Sequence, residues 1–189
     1  MNAMNTHYPE PTLTESVNRH TLSVIVDNEP GVLARIAGMF SGRGYNIESL
    51  TVTETEHERH ISRITIVTNG TRAIVEQIKS QLRRLVPVHK VADLTLMGDS
   101  LEREMCLVKV VGRGENRVEA MRLASAFDAR TLDATLESFI FELTGNSDEV
   151  ERFIRMMTAV GLVEVSRTGI AGMARGAEGI NGQQQQAAE

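Results

Sequence analysis

The chain has one cysteine, Cys106, in 189 residues. That excludes an intramolecular disulfide and a cysteine-rich metal site, and it fits a reducing compartment. No apolar run approaches the roughly 18 residues of a membrane-spanning helix, and the first residues lack the basic start and apolar core of a secretory signal. A cytoplasmic protein without a membrane partner is expected. Lys/Arg runs are also missing. Residues 20–94 carry 9 basic against 8 acidic side chains and residues 99–167 carry 9 against 13, so the net charge of −5 favours no polyphosphate partner in either half. Aromatic residues make up only 4%, and the two segments expected as central strands, LSVIV and ISRITIV, contain none. Sheets that bind RNA stack bases on aromatics at such positions, so nucleic acid is not an expected partner. Gly112-Arg113-Gly114 lacks the third glycine of a dinucleotide loop, with Arg117 in its place, and reads as a turn. No Ser/His/Asp elbow is present, and no catalytic residue is expected.

What is present centres on residues 20–53. Leu22, Val24 and Val26 alternate with Thr21, Ser23 and Ile25, the period of a strand with one buried face. Asp27-Asn28-Glu29-Pro30-Gly31 stops it, with Pro30 suited to the first turn of a helix. Val32, Leu33, Ile36, Ala37 and Phe40 then recur at helical spacing, Gly42 and Gly44 can end the helix, and a second strand is expected over Tyr45–Thr53. After an exposed turn at Glu54–Arg59 come a strand (His60–Thr68) and a helix capped by Thr71 over Ala73–Leu85. That helix should bury Ile74, Ile78, Leu82 and Leu85 and stop at Pro87, ahead of a strand over Val88–Met97. The order is βαββαβ.

The second half repeats it. A strand at Met105–Val111 shows Cys106, Val108 and Val110 on one face, and a helix at Asn116–Phe127 should bury Val118, Met121 and Ala124. A hairpin-like pair (Arg130–Thr135, Ser138–Leu143) precedes a helix opened by Asn146 with Glu149 three residues on, a capping-box pattern running to Ala159, and Leu162–Ser166 is the last expected strand. The fold class is thus α+β: two ferredoxin-like βαββαβ domains in tandem. A loose extension over residues 1–19 precedes a domain at 20–97 and a second at 98–169, joined near Gly98–Leu101. Residues 170–189, rich in Gly, Ala and Gln, read as a flexible tail.

The helix start after Asn28-Glu29-Pro30-Gly31 offers free backbone amides and the positive end of the dipole. An isolated motif of this kind is more simply a strand-to-helix turn. Two features favour a ligand: Gly31 leaves the backbone approachable, and Gly44-Tyr45-Asn46-Ile47 supplies a second carboxamide beside an apolar side chain. Asn28 and Asn46 suit the zwitterion of a free amino acid, since amides donate and accept without a buried unpaired charge, with Val32, Leu33 and Ile47 around its side chain. His57 and His60, among Glu54, Glu56 and Glu58, read as a solvated loop ahead of a metal site, and no metal is expected.

At DNEPGVLARIAGMFSGRGYNIESLTV the chain resembles the small, regulatory subunits of acetolactate synthase, which belong to the ACT-domain proteins. QIKSQLRRLVPVHKV, LEREMCLVKV and RTGIAGMARG continue the likeness, which spans about His20 to Gly176, and GRGYNIESL with EREMCLVKV is specific to this subunit. The resemblance implies an N-terminal ACT domain and no active site in this chain. It implies a large catalytic subunit as partner, which carries thiamine diphosphate, magnesium and FAD and condenses two pyruvates to 2-acetolactate. It also implies a homodimer through the ACT domain and feedback inhibition, usually by valine, with leucine and isoleucine as the other candidates. The effector would contact Asn28, Gly31, Val32 and Leu33 of one chain and Asn46 and Ile47 of the other. Position 30 is Pro where some relatives have Ser, which removes a hydroxyl and an N–H there. A stand-alone amino-acid sensor acting on another enzyme or on transcription is the alternative.

Overall fold

Alternation along residues 18–27 does produce the first strand, and everything in the N-terminal unit is laid against it. The computed structural model describes residues 16–98, 100–177 and 179–180; the expectations for residues 1–15 and 181–189 lie outside them. The N-terminal unit runs β1 (Asn18–Asp27), α1 (Val32–Gly42), β2 (Ser49–Glu56), β3 (Ile61–Gly70), α2 (Arg72–Leu82) and β4 (Val88–Asp93). The C-terminal unit runs β5 (Ser100–Val111), α3 (Glu115–Ala126), β6 (Arg130–Ala134), β7 (Ser138–Gly145), α4 (Ser147–Thr158) and β8 (Leu162–Arg167), and a further strand, β9 (Ala171–Ala174), follows. The sheets are antiparallel, ordered β2-β3-β1-β4 and β6-β7-β5-β8, so both units are ferredoxin-like and β2 and β6 lie at equivalent edges.

In the first unit Leu22, Val24 and Val26 meet Ile64 and Ile66 of β3 under Val32, Ile36 and Phe40 of α1 and Val75, Ile78 and Leu82 of α2. Each large side chain buried there contributes roughly 1.5–3 kcal/mol of transfer free energy. The second core is aromatic: Phe139, Phe141 and Phe153 join Cys106, Val108, Val110, Leu143, Val150 and Met157. Both second helices are capped from the side chain. Thr71 accepts from the Ile74 amide at 3.4 Å, and Asn146 and Glu149 form the reciprocal capping box expected from sequence.

Several expectations shift. Pro30 precedes the helix: Gly31 is the N-cap, at φ 90°, a left-handed conformation that favours glycine. Gly42 stays helical and Gly44, at φ 70°, turns the chain out. Strand β2 starts at Ser49, because Tyr45–Glu48 first crosses the end of β3, where the Thr68 hydroxyl donates to the Asn46 carbonyl at 2.6 Å. Helix α2 buries Val75 and leaves Ile74 partly exposed. Helix α3 buries Ala120, Leu123 and Ala124, while Val118 (56%) and Met121 (41%) stay exposed. Phenylalanines already fill that interior, so the helix turns its small residues inward.

The largest correction concerns the chain end. The tail expected from residue 170 begins instead with a buried Ile170 and with β9, which pairs with the first residues of β5 from Ser100↔Ala174 to Arg103↔Ala171. The expected linker at Gly98–Leu101 is therefore already strand from Ser100. This ribbon lies on the outer face of the N-terminal sheet: a Cβ on Gly172 would stand 2.7 Å from Leu94 and 3.4 Å from Thr21. Ile180 joins Ile25, Ala92 and Leu94 in a third cluster. Strand β1 is consequently covered on both faces, with Ser23 at 0% and Thr21 at 1% exposure.

Candidate functional site

Strand β1 delivers Asn28 to the rim of its sheet. The Asn28 amide donates to the His60 carbonyl at 2.5 Å, which ties the loop to the β2–β3 turn. Its side chain bonds to Glu54. An ionised carboxylate can only accept, so the Asn28 carboxamide presents its N–H to Glu54 and keeps its carbonyl oxygen for another partner. Hydrogen bonds from His57 and then from Asn28 hold the Glu54 carboxyl below the usual carboxylate range, and Glu54 in turn raises the His57 imidazole, bonded at 3.0 Å. Glu54 is the residue that sequence reasoning missed; its ETEHER setting reads as a solvated turn.

At Gly31 the left-handed backbone opens α1 with no side-chain cap, and nothing lies within 4 Å of where a Cβ would point. The positive end of the helix dipole lies at this turn, where the Val32 N–H donates to the Glu29 carbonyl at 3.4 Å. Leu33 is 42% exposed beside it. Val32 is not available in the way expected: its side chain belongs to the core, so only its backbone faces the loop. Asn46 is exposed, and Ile47 is half-buried against the same core.

These two groups of residues do not meet within one chain. Asn28 and Gly31 precede α1 and Asn46 and Ile47 follow it, and its 11 residues separate them by roughly 16 Å. Asn28 lies by the far end of β2, through Glu54, whereas Asn46 and Ile47 lead into the near end.

The corresponding turn of the second unit is chemically different. Gly114, at φ 59°, also opens α3 without a side-chain cap. There, however, Arg113 is paired with Glu137, the Arg117 guanidinium stacks 4.0 Å over the Phe139 ring, and no carboxamide stands where Asn28 does. Elsewhere, His57 and His60 face Glu54 at 3.0 and 3.9 Å, and among the described residues no group of three or more His, Cys, Asp or Glu could hold a metal ion. Burial pushes the Cys106 thiol up, away from nucleophilic use. No helix among the described residues is long and apolar enough to cross a membrane.

Two family models match the two units in turn: "AHAS small subunit-like ACT domain" over residues 22–90 and "Small subunit of acetolactate synthase" over residues 103–176. A probable acetolactate synthase small subunit of Archaeoglobus fulgidus is 47% identical over 158 residues, covering 84% of this chain and 98% of that protein. The acetolactate synthase isozyme 3 small subunit of Escherichia coli is 42% identical, covering 84% and 96%. The crystal structure of the Thermotoga maritima acetolactate synthase small subunit superposes with a TM-score of 0.76 at 38% identity, over 84% of this chain and 98% of that one. Two ferredoxin-like units, the first an ACT domain whose β1–α1 loop carries Asn28 and Gly31, match these relatives over nearly their whole length, and the chain belongs to the acetolactate synthase small-subunit family.

Proposed function

We propose that this chain is the non-catalytic regulatory subunit of acetolactate synthase, raising the activity of a large subunit and making it sensitive to valine. Thiamine diphosphate, magnesium and FAD belong to the large subunit in this reading, and the cytoplasm is its compartment. The observation that carries the effector assignment is the place of Asn28 and of Asn46 at opposite ends of an edge strand. Edge strands pair unless something covers them. Two β2 strands aligned antiparallel about a two-fold axis would set the Asn46–Ile47 end of one chain against the Glu54 end of its partner, where Asn28 and Gly31 lie. The pocket so formed offers the Asn28 carbonyl and the Asn46 carboxamide to an ammonium and the first-turn amides of α1 to a carboxylate. Leu33 and Ile47 are left for the aliphatic side chain.

Burying an isopropyl group contributes roughly 1.5–3 kcal/mol, and each charge-assisted hydrogen bond roughly 1.5–3 kcal/mol before ordering costs. A net of about −4 to −8 kcal/mol, millimolar to micromolar, suits a sensor of a metabolite pool. Inhibition then requires valine to favour one arrangement of the subunit by roughly 1–3 kcal/mol. The test is acetolactate formation from pyruvate by the large subunit, alone and with this chain, against valine, leucine and isoleucine. Stimulation by the chain and inhibition by valine are expected. A large subunit indifferent to the chain would leave the stand-alone sensor, and pyruvate turnover by the chain alone would overturn the non-catalytic reading.

A further inference from the structure

We propose that Ser49 and Thr51, by gripping the backbone of Ile170, are the coupling element that carries effector occupancy from the N-terminal unit to the C-terminal one; this rests on the effector reading above. Strand β2 begins two residues after Ile47, and Ser49 and Thr51 turn their hydroxyls to the outer face of the sheet. The Ile170 N–H donates to Ser49 Oγ at 3.2 Å, and Thr51 Oγ1 donates to the Ile170 carbonyl at 2.9 Å. Two side chains thus satisfy both polar backbone groups of one buried residue, as a neighbouring strand would. Gly169 shows how closely the segments approach. It stands at φ 81°, and a Cβ there would lie 2.8 Å from Ser49 Oγ and 2.9 Å from Thr51 Oγ1.

The same short segment is fastened on its other side. The Thr168 N–H donates to the Met105 carbonyl at 3.0 Å, and the Met105 N–H donates to the Thr168 hydroxyl at 3.1 Å. Met105 pairs with Thr144 of β7, so residues 168–170 connect the effector strand with the centre of the C-terminal sheet. A second tie lies next to it. Arg19 sits 4.0 Å from Glu48, the residue after Ile47, and bonds to Glu102 at 3.2 Å and to Ser147, at the start of α4, at 3.3 Å. Movement of residues 46–49 therefore acts on Ile170 and on Arg19 together, and the adjoining cleft of about 570 Å3 leaves room for it. A ligand shifts a conformational equilibrium only through contacts that differ between two states, and these polar contacts are of the kind that are either made or broken.

The test uses the full-length chain assembled with the large subunit. Ser49→Ala with Thr51→Val removes both hydroxyls and nearly keeps the volumes, and Ser49→Thr with Thr51→Ser restores them. With the first pair, valine affinity measured by calorimetry should stay within about threefold, while the fraction of activity that valine removes falls about fivefold or more; the second pair should restore inhibition. Unchanged inhibition with both hydroxyls removed overturns the coupling and leaves the effector site standing. Loss of valine binding itself would make the hydroxyls part of the pocket and also overturns it. A wild-type chain that binds no valine overturns the effector reading beneath it. Amide hydrogen exchange of the wild-type chain provides a readout independent of folding defects in a variant: valine should change protection at residues 168–174, and no change there contradicts the proposal.

Discussion

Set side by side, the two units use one strand order for opposite ends. The N-terminal sheet is covered twice, by α1 and α2 on one face and by the β5–β9 ribbon on the other, so that Thr21 and Ser23 are buried although they are polar. The C-terminal sheet is conventional: along β5 from Met105 to Val110 buried and half-buried residues alternate, and its edge strand β6 is exposed throughout. The first helix of each unit opens from a glycine without a side-chain cap and with open space where a Cβ would point, yet in the second the neighbouring side chains are Arg113 paired with Glu137 and Arg117 stacked on Phe139. In the first the neighbour is an exposed carboxamide, Asn28. Topology supplies the position; only the local side chains decide whether it is a binding site.

The comparison breaks most severely if the units are uncoupled in the core. Phe153→Ala should destabilise the C-terminal unit by about 3–5 kcal/mol, the range for emptying a buried aromatic site. Because β9 follows β8 and the ribbon covers the N-terminal sheet, urea unfolding followed in both units should shift together. Separate transitions would mean that the shared ribbon couples nothing.

Next in size come the paired glycines. Gly31→Ala and Gly114→Ala each place a side chain at positive φ, at about 1–3 kcal/mol of strain. Only the first should weaken valine inhibition, and Gly31→Asp, which adds a negative charge where the proposed pocket would receive the carboxylate, should abolish it while leaving activation of the large subunit in place. Equal effects of the two alanine variants would show that stability, and not the loop, is being read.

A smaller effect is expected at the helix caps. Asn146→Ala should cost about 1 kcal/mol by loss of the capping box, measured by the denaturation midpoint, with valine affinity unchanged.

The smallest effect is one of pH. Glu54 is lowered in the folded chain, so its contribution is present above the ordinary carboxylate pKa and is lost as pH falls through the lowered value. His57 is raised, so its contribution is present below the ordinary imidazole pKa and is lost as pH rises through the raised one. Valine affinity should therefore decline in acid as Glu54 takes a proton and ceases to orient Asn28. Glu54→Gln should flatten that limb, and an unchanged acid limb would remove Glu54 from the site.

The sequence displays the element order of both units because apolar periodicity and caps are local: Leu22, Val24 and Val26, Thr71, and Asn146 with Glu149 all act as their spacing indicates. It hides what depends on distant packing. The segment RTGIAGMARG looks like the start of a tail, since its small residues carry little periodicity, yet those residues are what let β9 lie flat against Leu94 and Thr21 of a sheet far back in the chain. Val118 and Met121 mark a plausible stripe, but the volume taken by phenylalanines from β7 and α4 turns α3 onto its alanines. Of the site, the residue types are legible and their grouping is not: Val32 belongs to the core, Glu54 comes from the following hairpin, and the two asparagines lie at opposite ends of a helix.

That separation makes the shared pocket the central claim, and mixing two disabled chains tests it directly. Asn28→Ala and Asn46→Ala chains should each fail to bind valine by calorimetry. Refolded or expressed together, they should form heterodimers in which one pocket holds both asparagines and the other neither, restoring about a quarter of the wild-type sites. Recovery of binding with wild-type affinity is the predicted result. No recovery, with heterodimers present, would mean that each pocket is built within a single chain and would contradict the account.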